Sequence, residues 1–281
     1  MKMMISLIKN ELIKISSKWR SFIGFIAIAV LMPLVMWGFS VGGSEIHDDM
    51  TRQLEGSFII VGSVFNGFLA TYFVMNFLWV HIPFLVTLVA GDVVAGEGAA
   101  GTFRIYLTRP VSRMKIMLSK LLATYLYPLA LVGFFALMCL GLGTILLGTG
   151  DLVVFDAGLF ILSAELAWPR FTLAFSLATV ALCTVASLCF MFSAMVNNGI
   201  GPVIGSMAIV IIGLAIATIP LDLFENLSPY LFTDYIDIWN LAFRDPIPWD
   251  EIGKSLLILG LYATAFSGIG FAVFLRKDIR T

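Results

Sequence analysis

The chain has 281 residues, of which 60% are hydrophobic and 12% charged, and its mean hydropathy is +1.00. Soluble domains carry about 25% charged residues, so this composition excludes a soluble globular protein and predicts an integral membrane protein. The formal net charge of −1 excludes little by itself. The three cysteines lie in apolar runs without the spacing of zinc or disulfide frameworks. The sequence therefore predicts no metal site, no catalytic residue and no nucleic-acid partner.

Six segments are long and apolar enough to cross a bilayer, which takes about 20 residues of helix. They are residues 21–41, 58–90, 113–147, 171–196, 202–219 and 255–275. The second and third are long, and Pro83 and Pro128 are their expected kink sites. A tight turn at 197–202 separates the fourth span from the fifth. The predicted fold is an all-α integral membrane protein, with residues 1–281 forming a single transmembrane domain.

The distribution of basic residues predicts the orientation of the spans. If the N-terminus is cytoplasmic and the spans alternate, 13 of the 17 lysines and arginines fall on the cytoplasmic side. The positive-inside rule favours this arrangement, so both termini are predicted to be cytoplasmic and the protein to lie in the cytoplasmic (inner) membrane. An outer helical segment, 220–254, then joins the last two spans. Asp222 and Glu225 begin it as candidates for an outer gate, with ordinary solvated acids as the alternative.

The first twenty residues combine basic and apolar side chains at helical spacing. The apolar positions that line one side are Ile5, Ile8, Leu12, Ile15 and Trp19. The lysines lie largely off this stripe. Residues 1–20 are therefore predicted to form an amphipathic helix at the membrane interface. The alternative is a positively charged flank that only fixes topology.

The stretch GEGAAG at 96–101 matches the dinucleotide fingerprint G-x-G-x-x-G. That fingerprint binds a nucleotide only between a buried strand and a helix, whereas an apolar span precedes it here. A phosphate-binding P-loop requires Lys and Ser or Thr after its last glycine, but Thr102 and Phe103 follow. These observations argue against nucleotide binding. The glycines are instead predicted to let the backbone turn sharply as it leaves the membrane.

A short amphipathic helix is expected from about Gly101 to Thr108. Pro110 disfavours helix at the preceding residue, and Ser112 suits the N-cap of the next helix. The predicted helix has Phe103, Tyr106 and Leu107 on one side and Arg104 and Thr108 on the other. Such an element, pointing to the cytoplasm in a loop at 91–112, is suited to docking into a groove on another protein.

The stretch 91–120 resembles the coupling region of ABC-2 type permeases, the membrane subunits of a class of ABC transporters. In that family a glutamate, a Gly-Thr pair, a leucine-rich short helix, a Pro-Val-Ser-Arg-like turn and a lysine follow in this order. The matching residues are Glu97, Gly101, Thr102, Leu107, Pro110, Val111, Ser112, Arg113 and Lys120. Phe103 and Arg104 depart from the pattern, which usually has leucine and often an acid there. Segment 220–254 is similar to that of permeases related to the nitrous-oxide-reductase maturation and gliding-motility transporters.

The resemblance implies a half-transporter in which two permease chains, identical or different, sit above two separate ATPase subunits. ATP and Mg²⁺ would be bound by the ATPase, because this chain has no G-x-x-x-x-G-K-[ST] motif and is expected to hold no cofactor. Glu97 and Arg113 would contact or brace the ATPase groove; the alternative is that Glu97 only neutralises nearby basic residues. The implied coupling residues are Glu97, Gly101, Thr102, Phe103, Arg104, Tyr106, Leu107, Arg109, Pro110 and Arg113.

The spans are almost free of charge, which favours export of a hydrophobic or amphipathic substrate over a highly charged ion. The alternative within the same class is transmission of ATP-driven motion to an extracytoplasmic partner through 220–254. Two other classes remain open. A secondary transporter should show internal repeats or charges at mid-membrane, and a lipid-processing membrane enzyme should show clustered acids or histidines. The span interiors show neither repeats nor paired charges, and the outer segment has acids but no repeated metal-type spacing.

Overall fold

The structure, a computed structural model, describes residues 2–54, 65–101, 111–155 and 159–277. Within these ranges it is predominantly helical, and six helical stretches are long and apolar enough to cross a membrane. These are Trp19–Gly42, Ile82–Ala99, Arg113–Leu147, Ala164–Met195, Gly201–Thr218 and Trp249–Arg276. The expected number of spanning segments and the multi-pass character are confirmed. The side of the membrane on which the termini lie stays a prediction.

The helices and strands follow one another in a simple order. The helices are α1 Lys2–Ser16, α2 Trp19–Leu54, α3 Gly67–Leu78, α4 Ile82–Ala90, α5 Asp92–Ala99, α6 Arg113–Leu147, α7 Ala164–Met195, α8 Gly201–Thr218, α9 Asp222–Leu227 and α10 Trp249–Arg276. A hairpin of β1 Leu152–Phe155 and β2 Leu159–Leu162 lies between α6 and α7. Two 3-10 segments, Ser228–Tyr230 and Phe232–Phe243, join α9 to α10.

Helix α7 is the central element, against which α4, α6, α8 and α10 pack. Small side chains recur along it, and Ala174, Ala178 and Ala181 are fully buried. Small residues let neighbouring helix backbones approach closely, which is how helices associate in a bilayer without a hydrophobic drive between them. The exposed faces of the outer helices are apolar, with Leu257 and Leu261 of α10 each 63% exposed, as expected of surfaces that meet lipid.

The long second apolar segment is divided into two helices rather than bent. Asn66 caps α3, because its side chain accepts hydrogen bonds from the backbone of Phe68 and Leu69. The chain turns after Leu78, and Pro83 falls in the first turn of α4. A proline is tolerated there, since the first backbone N–H groups of a helix have no intrahelical partner. The expected kink is therefore a helix boundary.

Two features of the connecting segments differ from the all-α prediction. The strands Leu152–Phe155 and Leu159–Leu162 pair in antiparallel fashion, with Leu152 opposite Leu162 and Val153 opposite Ile161. Short apolar runs with β-branched residues suit a strand, and the run is too short to span. The connection after α8 was predicted to be helical, but most of it is 3-10 helix.

The main 3-10 segment, Phe232–Phe243, is held to the bundle by an aromatic cluster. Phe243 contacts Phe171 at a centroid distance of 5.0 Å and Tyr72 at 5.1 Å, and Trp239 contacts Trp79 at 5.8 Å. We call these five residues the aromatic cluster. Nearby, the buried guanidinium of Arg170 donates to the carbonyls of residues 242 and 244 and pairs with the carboxylate of residue 245.

Helix α1 exists as predicted, but its faces are used differently. It ends at Ser16, and Trp19 begins α2. Ile5 and Leu12 are exposed, whereas Ile8 and Ile15 are half-buried against the protein. Three residues of the apolar stripe are thus exposed and two are half-buried, and the placement of α1 at the membrane interface stays a prediction. Because α1 packs on α6, part of its apolar surface, together with charged groups, faces the bundle.

Candidate functional site

A cluster of charged side chains joins α1, α5 and α6 at one end of the bundle. We call it the charge junction. Its members are Glu11, Lys14, Lys18, Arg20, Asp92, Glu97 and Lys120. The turn between α7 and α8 and the end of α10 lie at the same end, because Lys277 donates to the side chain of Asn197 at 2.7 Å and Gly199 lies beside Asp92.

Lys120 lies at the centre of the junction and has no exposed surface. Its ammonium group is 2.8 Å from Oε2 of Glu11 and 2.8 Å from Oε1 of Glu97. It also donates to the backbone carbonyl of Val93 at 3.0 Å. A buried ammonium is costly unless its charge and donors are satisfied. Here two carboxylates and a carbonyl from different elements provide that compensation.

Lys14 closes the same network from α1. Its ammonium group is 2.6 Å from Oε1 of Glu11 and 2.7 Å from Oε1 of Glu97. Glu11 and Glu97 are 4% and 7% exposed. These two lysines and two glutamates are therefore charge-neutral as a group. They connect α1 to α5 and α6, which follow it by more than seventy residues in the sequence.

A second, more exposed part of the junction is centred on Asp92, the first residue of α5. Its carboxylate accepts from Lys18 at 2.7 Å and from Arg20 at 3.2 Å. A Cβ at Gly96 would overlap this carboxylate, and one at Gly199 would lie 2.7 Å from it. The absence of side chains at these two glycines gives the Asp92 carboxylate the space that it occupies.

Helices α4 and α5 meet at Gly91, where the hydrogen-bond ladder is interrupted. Ser193 of α7 bridges this break between α4 and α5, because its hydroxyl donates to the carbonyl of Gly91 at 2.6 Å. The same oxygen accepts from the backbone N–H of Val94 at 3.2 Å and of Ala95 at 2.8 Å. Buried backbone groups outside a regular helix must find such partners within the protein.

The glycine-rich stretch is mostly helical, which corrects the expectation of a sharply turning loop. Gly96 and Gly98 lie inside α5, and Gly91 has helical dihedral angles. Gly101 differs, with φ of 66°, the left-handed conformation that commonly ends a helix and that glycine adopts without strain. The letters of the dinucleotide fingerprint therefore cover a helix and its C-terminal end.

Two of the predicted coupling residues have defined side-chain contacts in the structure. Glu97 is buried between Lys14 and Lys120, so its carboxylate neutralises lysines of this chain, as the alternative interpretation stated. Arg113, at the start of α6, donates to the backbone carbonyl of Lys277 at 3.2 Å. Burial lowers the pKa of the Lys277 ammonium from its ordinary value. Arg113 thus joins the start of α6 to the end of α10.

The other predicted site residues are less fully described. Gly101 is the last described residue before the gap at 102–110. Thr102, Phe103, Arg104, Tyr106, Leu107, Arg109 and Pro110 lie outside the described residues. Asp222 and Glu225 belong to α9, but their side chains are outside what the structure describes. The ends that flank the gap are α5 and α6, both of which belong to the charge junction.

Sequence reasoning missed most of the junction. Glu11 is the one acid among the first twenty residues, and its position amid basic residues was a usable signal. Asp92 and Ser193 carried no such signal, since a spanning helix contains many serines with purely local hydrogen bonds. Within the described ranges, no three His, Cys, Asp or Glu residues are grouped to hold a metal ion. The ion pairs of the junction join α1, α5 and α6.

These features define a multi-pass helical membrane protein with a buried charge junction at one end. The chain belongs to the family described as "Protein of unknown function (DUF2705)", which it matches over residues 28–280. The matched range includes α5 and α6 but begins after α1.

The chain is also similar to the "Uncharacterized protein YhcI" of Bacillus subtilis (strain 168). The two share 26% identity over 198 residues, which is 68% of this chain and 63% of that relative. The chain thus covers less than two thirds of the length of that relative.

Proposed function

We propose that this chain is the permease subunit of an ABC transporter and works with a separate ATPase. Segment 102–110 would be the coupling element that docks on the ATPase, and a hydrophobic or amphipathic substrate would be exported. In this proposal ATP and Mg²⁺ bind to the ATPase subunit, and two permease chains form the translocation unit in the cytoplasmic membrane. The permease itself performs no chemistry.

The observation that carries the proposal is the position of the charge junction at the base of segment 102–110. The segment leaves from α5 and returns into α6, and the Glu97–Lys120 pair joins these two helices at 2.8 Å. Breaking a buried ion pair costs about 3–5 kcal/mol, so α5 and α6, the two stems of the segment, resist separation. A push on the segment would then move α5 and α6 together, as the rigid-body transitions of switching proteins require.

The contacts of α1 extend this argument. Glu11 and Lys14 belong to α1, so the same ion pairs attach the N-terminal helix to the stems. Arg113 attaches the end of α10, and Ser193 attaches α7. Movement of α5 and α6 would therefore be passed to α1, α7 and α10. Glu97 acts in this proposal as a brace within the permease rather than as a direct contact to the ATPase.

The test is co-expression of the chain with the ABC ATPase subunits of its source genome, followed by purification through a tag on the permease. We expect one ATPase to co-purify and its rate of ATP hydrolysis to change on binding. Tyr106→Ala combined with Leu107→Ala should abolish co-purification without lowering thermal stability. Leu257→Ala combined with Leu261→Ala, at exposed positions on α10, is the matched control and should retain the ATPase.

A second pair of variants separates docking from force transmission. Glu97→Gln combined with Lys120→Met removes one charge of each sign from the junction. We expect this variant to bind the ATPase but to lose the change in hydrolysis rate. If no ATPase co-purifies with any preparation and the Tyr106 and Leu107 variant behaves as the parent does, the proposal fails. Uptake driven by an ion gradient in proteoliposomes of the chain alone would then indicate a secondary transporter.

A further inference from the structure

A groove opens on the side of α1 that faces away from the charge junction. It has a volume of about 320 Å³ and lies between α1, α2 and α6. Its walls are mainly apolar, with Leu12 and Ile13 from α1, Phe22 and Phe25 from α2, and Leu126 from α6. Pockets for small molecules begin at roughly 300 Å³, so the groove has room for part of an extended hydrocarbon chain.

The base of the groove is rigid. The hydroxyl of Tyr127 donates to the carbonyl of Ser21 at 3.1 Å, which joins α6 to the start of α2. The rings of Phe25 and Tyr127 meet edge to face at a centroid distance of 5.9 Å. These contacts hold the three helices in place on the inner side of the groove. The groove is thus a fixed feature of the packing rather than a gap between loosely associated helices.

One end of the groove carries a cation. Lys9 is exposed and lines the groove with Leu12, Ile13 and Ser16, which lie three, four and seven positions later and so share its helix face. No carboxylate in the described part of the chain pairs with Lys9, in contrast to Lys14 on the opposite face. The Ser16 hydroxyl is already used, since it donates to the carbonyl of Ile13. The ammonium group of Lys9 is therefore the donor that the groove offers to a ligand.

This combination has the chemistry of an anionic amphiphile. A small hydrated anion gains little from apolar walls with one cation, whereas a lipid with a charged headgroup matches both parts. We propose that the groove binds one acidic phospholipid of the membrane, with its phosphate at Lys9 and an acyl chain between α2 and α6. The bilayer supplies such a lipid at high local concentration, and basic residues near its surface attract acidic headgroups.

The site shares α1 with the charge junction. Lys9 and Leu12 face the groove, while Glu11 and Lys14 face the bundle. A ligand that binds only the folded arrangement stabilises it. The lipid therefore holds α1 against α6 from one side while the ion pairs hold it from the other. This inference does not depend on the transporter proposal, because it requires no ATPase.

The experiment uses the full chain, purified and delipidated in detergent. Dioleoyl phosphatidylglycerol and dioleoyl phosphatidylcholine are titrated separately, with bound lipid counted by native mass spectrometry and the unfolding temperature measured in parallel. We expect one phosphatidylglycerol to bind at least about five-fold more tightly than phosphatidylcholine, since one basic residue near a headgroup contributes roughly 1 kcal/mol. The acidic lipid should also raise the unfolding temperature more.

Three variants locate the site. Lys9→Gln should remove the preference for phosphatidylglycerol, while Lys254→Gln, an exposed lysine near the start of α10, should leave it unchanged. Ala130→Trp, at an exposed position that lines the groove, should weaken binding of both lipids by obstructing the acyl chain. All three positions are exposed, so folding should be retained and is checked by gel filtration.

Three results would overturn the inference. They are equal binding of the two lipids by the parent chain, an unchanged preference in Lys9→Gln, and competition by inorganic phosphate at a concentration equal to that of the lipid. The last result would show that the site recognises a free anion rather than a lipid.

Discussion

The charge junction, with Ser193 beside it, and the aromatic cluster lie towards opposite ends of α7 and hold their neighbouring elements by different kinds of contact. Phe171 and Ser193 lie near opposite ends of that helix, about 33 Å apart at 1.5 Å per residue. At the Ser193 end, short ion pairs join α1, α5 and α6, and the Ser193 hydroxyl bonds the backbone at Gly91. At the Phe171 end, edge-on and tilted rings hold the 3-10 segment.

The charge junction and the aromatic cluster should differ in how much stability each loses when a side chain is replaced. Charge-assisted contacts depend on geometry and on the presence of each partner, so the junction should fail when one group is removed. Ring packing is spread over many weak atom contacts, so the aromatic cluster should lose stability in proportion to the volume removed. If the junction transmits force, as the proposed function requires, it benefits from the first property. A segment that only has to stay in place needs the second.

The strongest test of this contrast is Lys120→Met. Methionine fills a similar volume but leaves the carboxylates of Glu11 and Glu97 buried with less compensation. We expect a loss of about 3–5 kcal/mol in the free energy of unfolding, measured by SDS titration in mixed micelles. Lys115→Met, at an exposed position on the same helix, is the control and should change stability by less than about 0.5 kcal/mol.

The double variant Glu97→Gln with Lys120→Met sharpens the same test. It restores charge neutrality and should recover part of the loss seen for Lys120→Met, because contacting groups are not additive. If the double variant lost as much free energy of unfolding as Glu97→Gln and Lys120→Met lose together, the two groups would act independently. The idea of one connected network would then be wrong.

Among conservative changes, the next largest effect is expected at the break between α4 and α5 that Ser193 bridges. Ser193→Ala removes the hydroxyl that serves the backbone of Gly91, Val94 and Ala95. Leaving buried backbone groups unpaired costs about 1–3 kcal/mol, and we expect a loss in this range in the same unfolding assay. Ser176→Ala is the matched control, since that hydroxyl is exposed and donates to the carbonyl one turn earlier. Equal effects of the two changes would contradict the bridging role.

The aromatic cluster should tolerate a conservative change better than the junction does. Trp239 is 1% exposed, and its indole N–H finds no hydrogen-bond partner in the described part of the chain. Trp239→Phe removes ring volume together with that unpaired donor, so we expect a loss of about 1 kcal/mol. Trp239→Ala should cost about 3–5 kcal/mol. A phenylalanine variant as unstable as the alanine one would remove the contrast between the two ends.

The smallest effect is expected in the exposed part of the junction. The side chains of Lys18 and Arg20 are 42% and 49% exposed where they pair with Asp92. Exposed ion pairs contribute about 0.2–1 kcal/mol and are screened by salt. Asp92→Asn should therefore cost less than about 1 kcal/mol, and the loss should shrink as NaCl is raised. The loss in Lys120→Met should stay nearly constant over the same salt series, because that site is buried.

Composition and hydrophobic length were enough to predict the class of fold. A chain with 12% charged residues has to place its apolar helices in lipid, and each spanning helix satisfies its own backbone. The number of spans and the helical N-terminus followed from local pattern alone. The groups that Glu97 and Lys120 contact did not follow, because which side chains meet depends on how α1, α5 and α6 pack against one another. The pairing of β1 with β2 was missed because short apolar runs suit a strand or a helix equally.

The amino-acid sequence by itself therefore determined that this is a membrane protein with six helices able to span, since hydropathy and helix rise act locally. The tertiary structure alone decided that Gly96 leaves space for a carboxylate, that α1 turns charged groups inward, and that Ser193 repairs a break in another helix. Each of these depends on packing between elements, and no local pattern records which helix will lie beside which. The charged residues near the N-terminus look in the sequence like a flank that fixes membrane topology. They become part of a buried charge junction only because three helices bring them together.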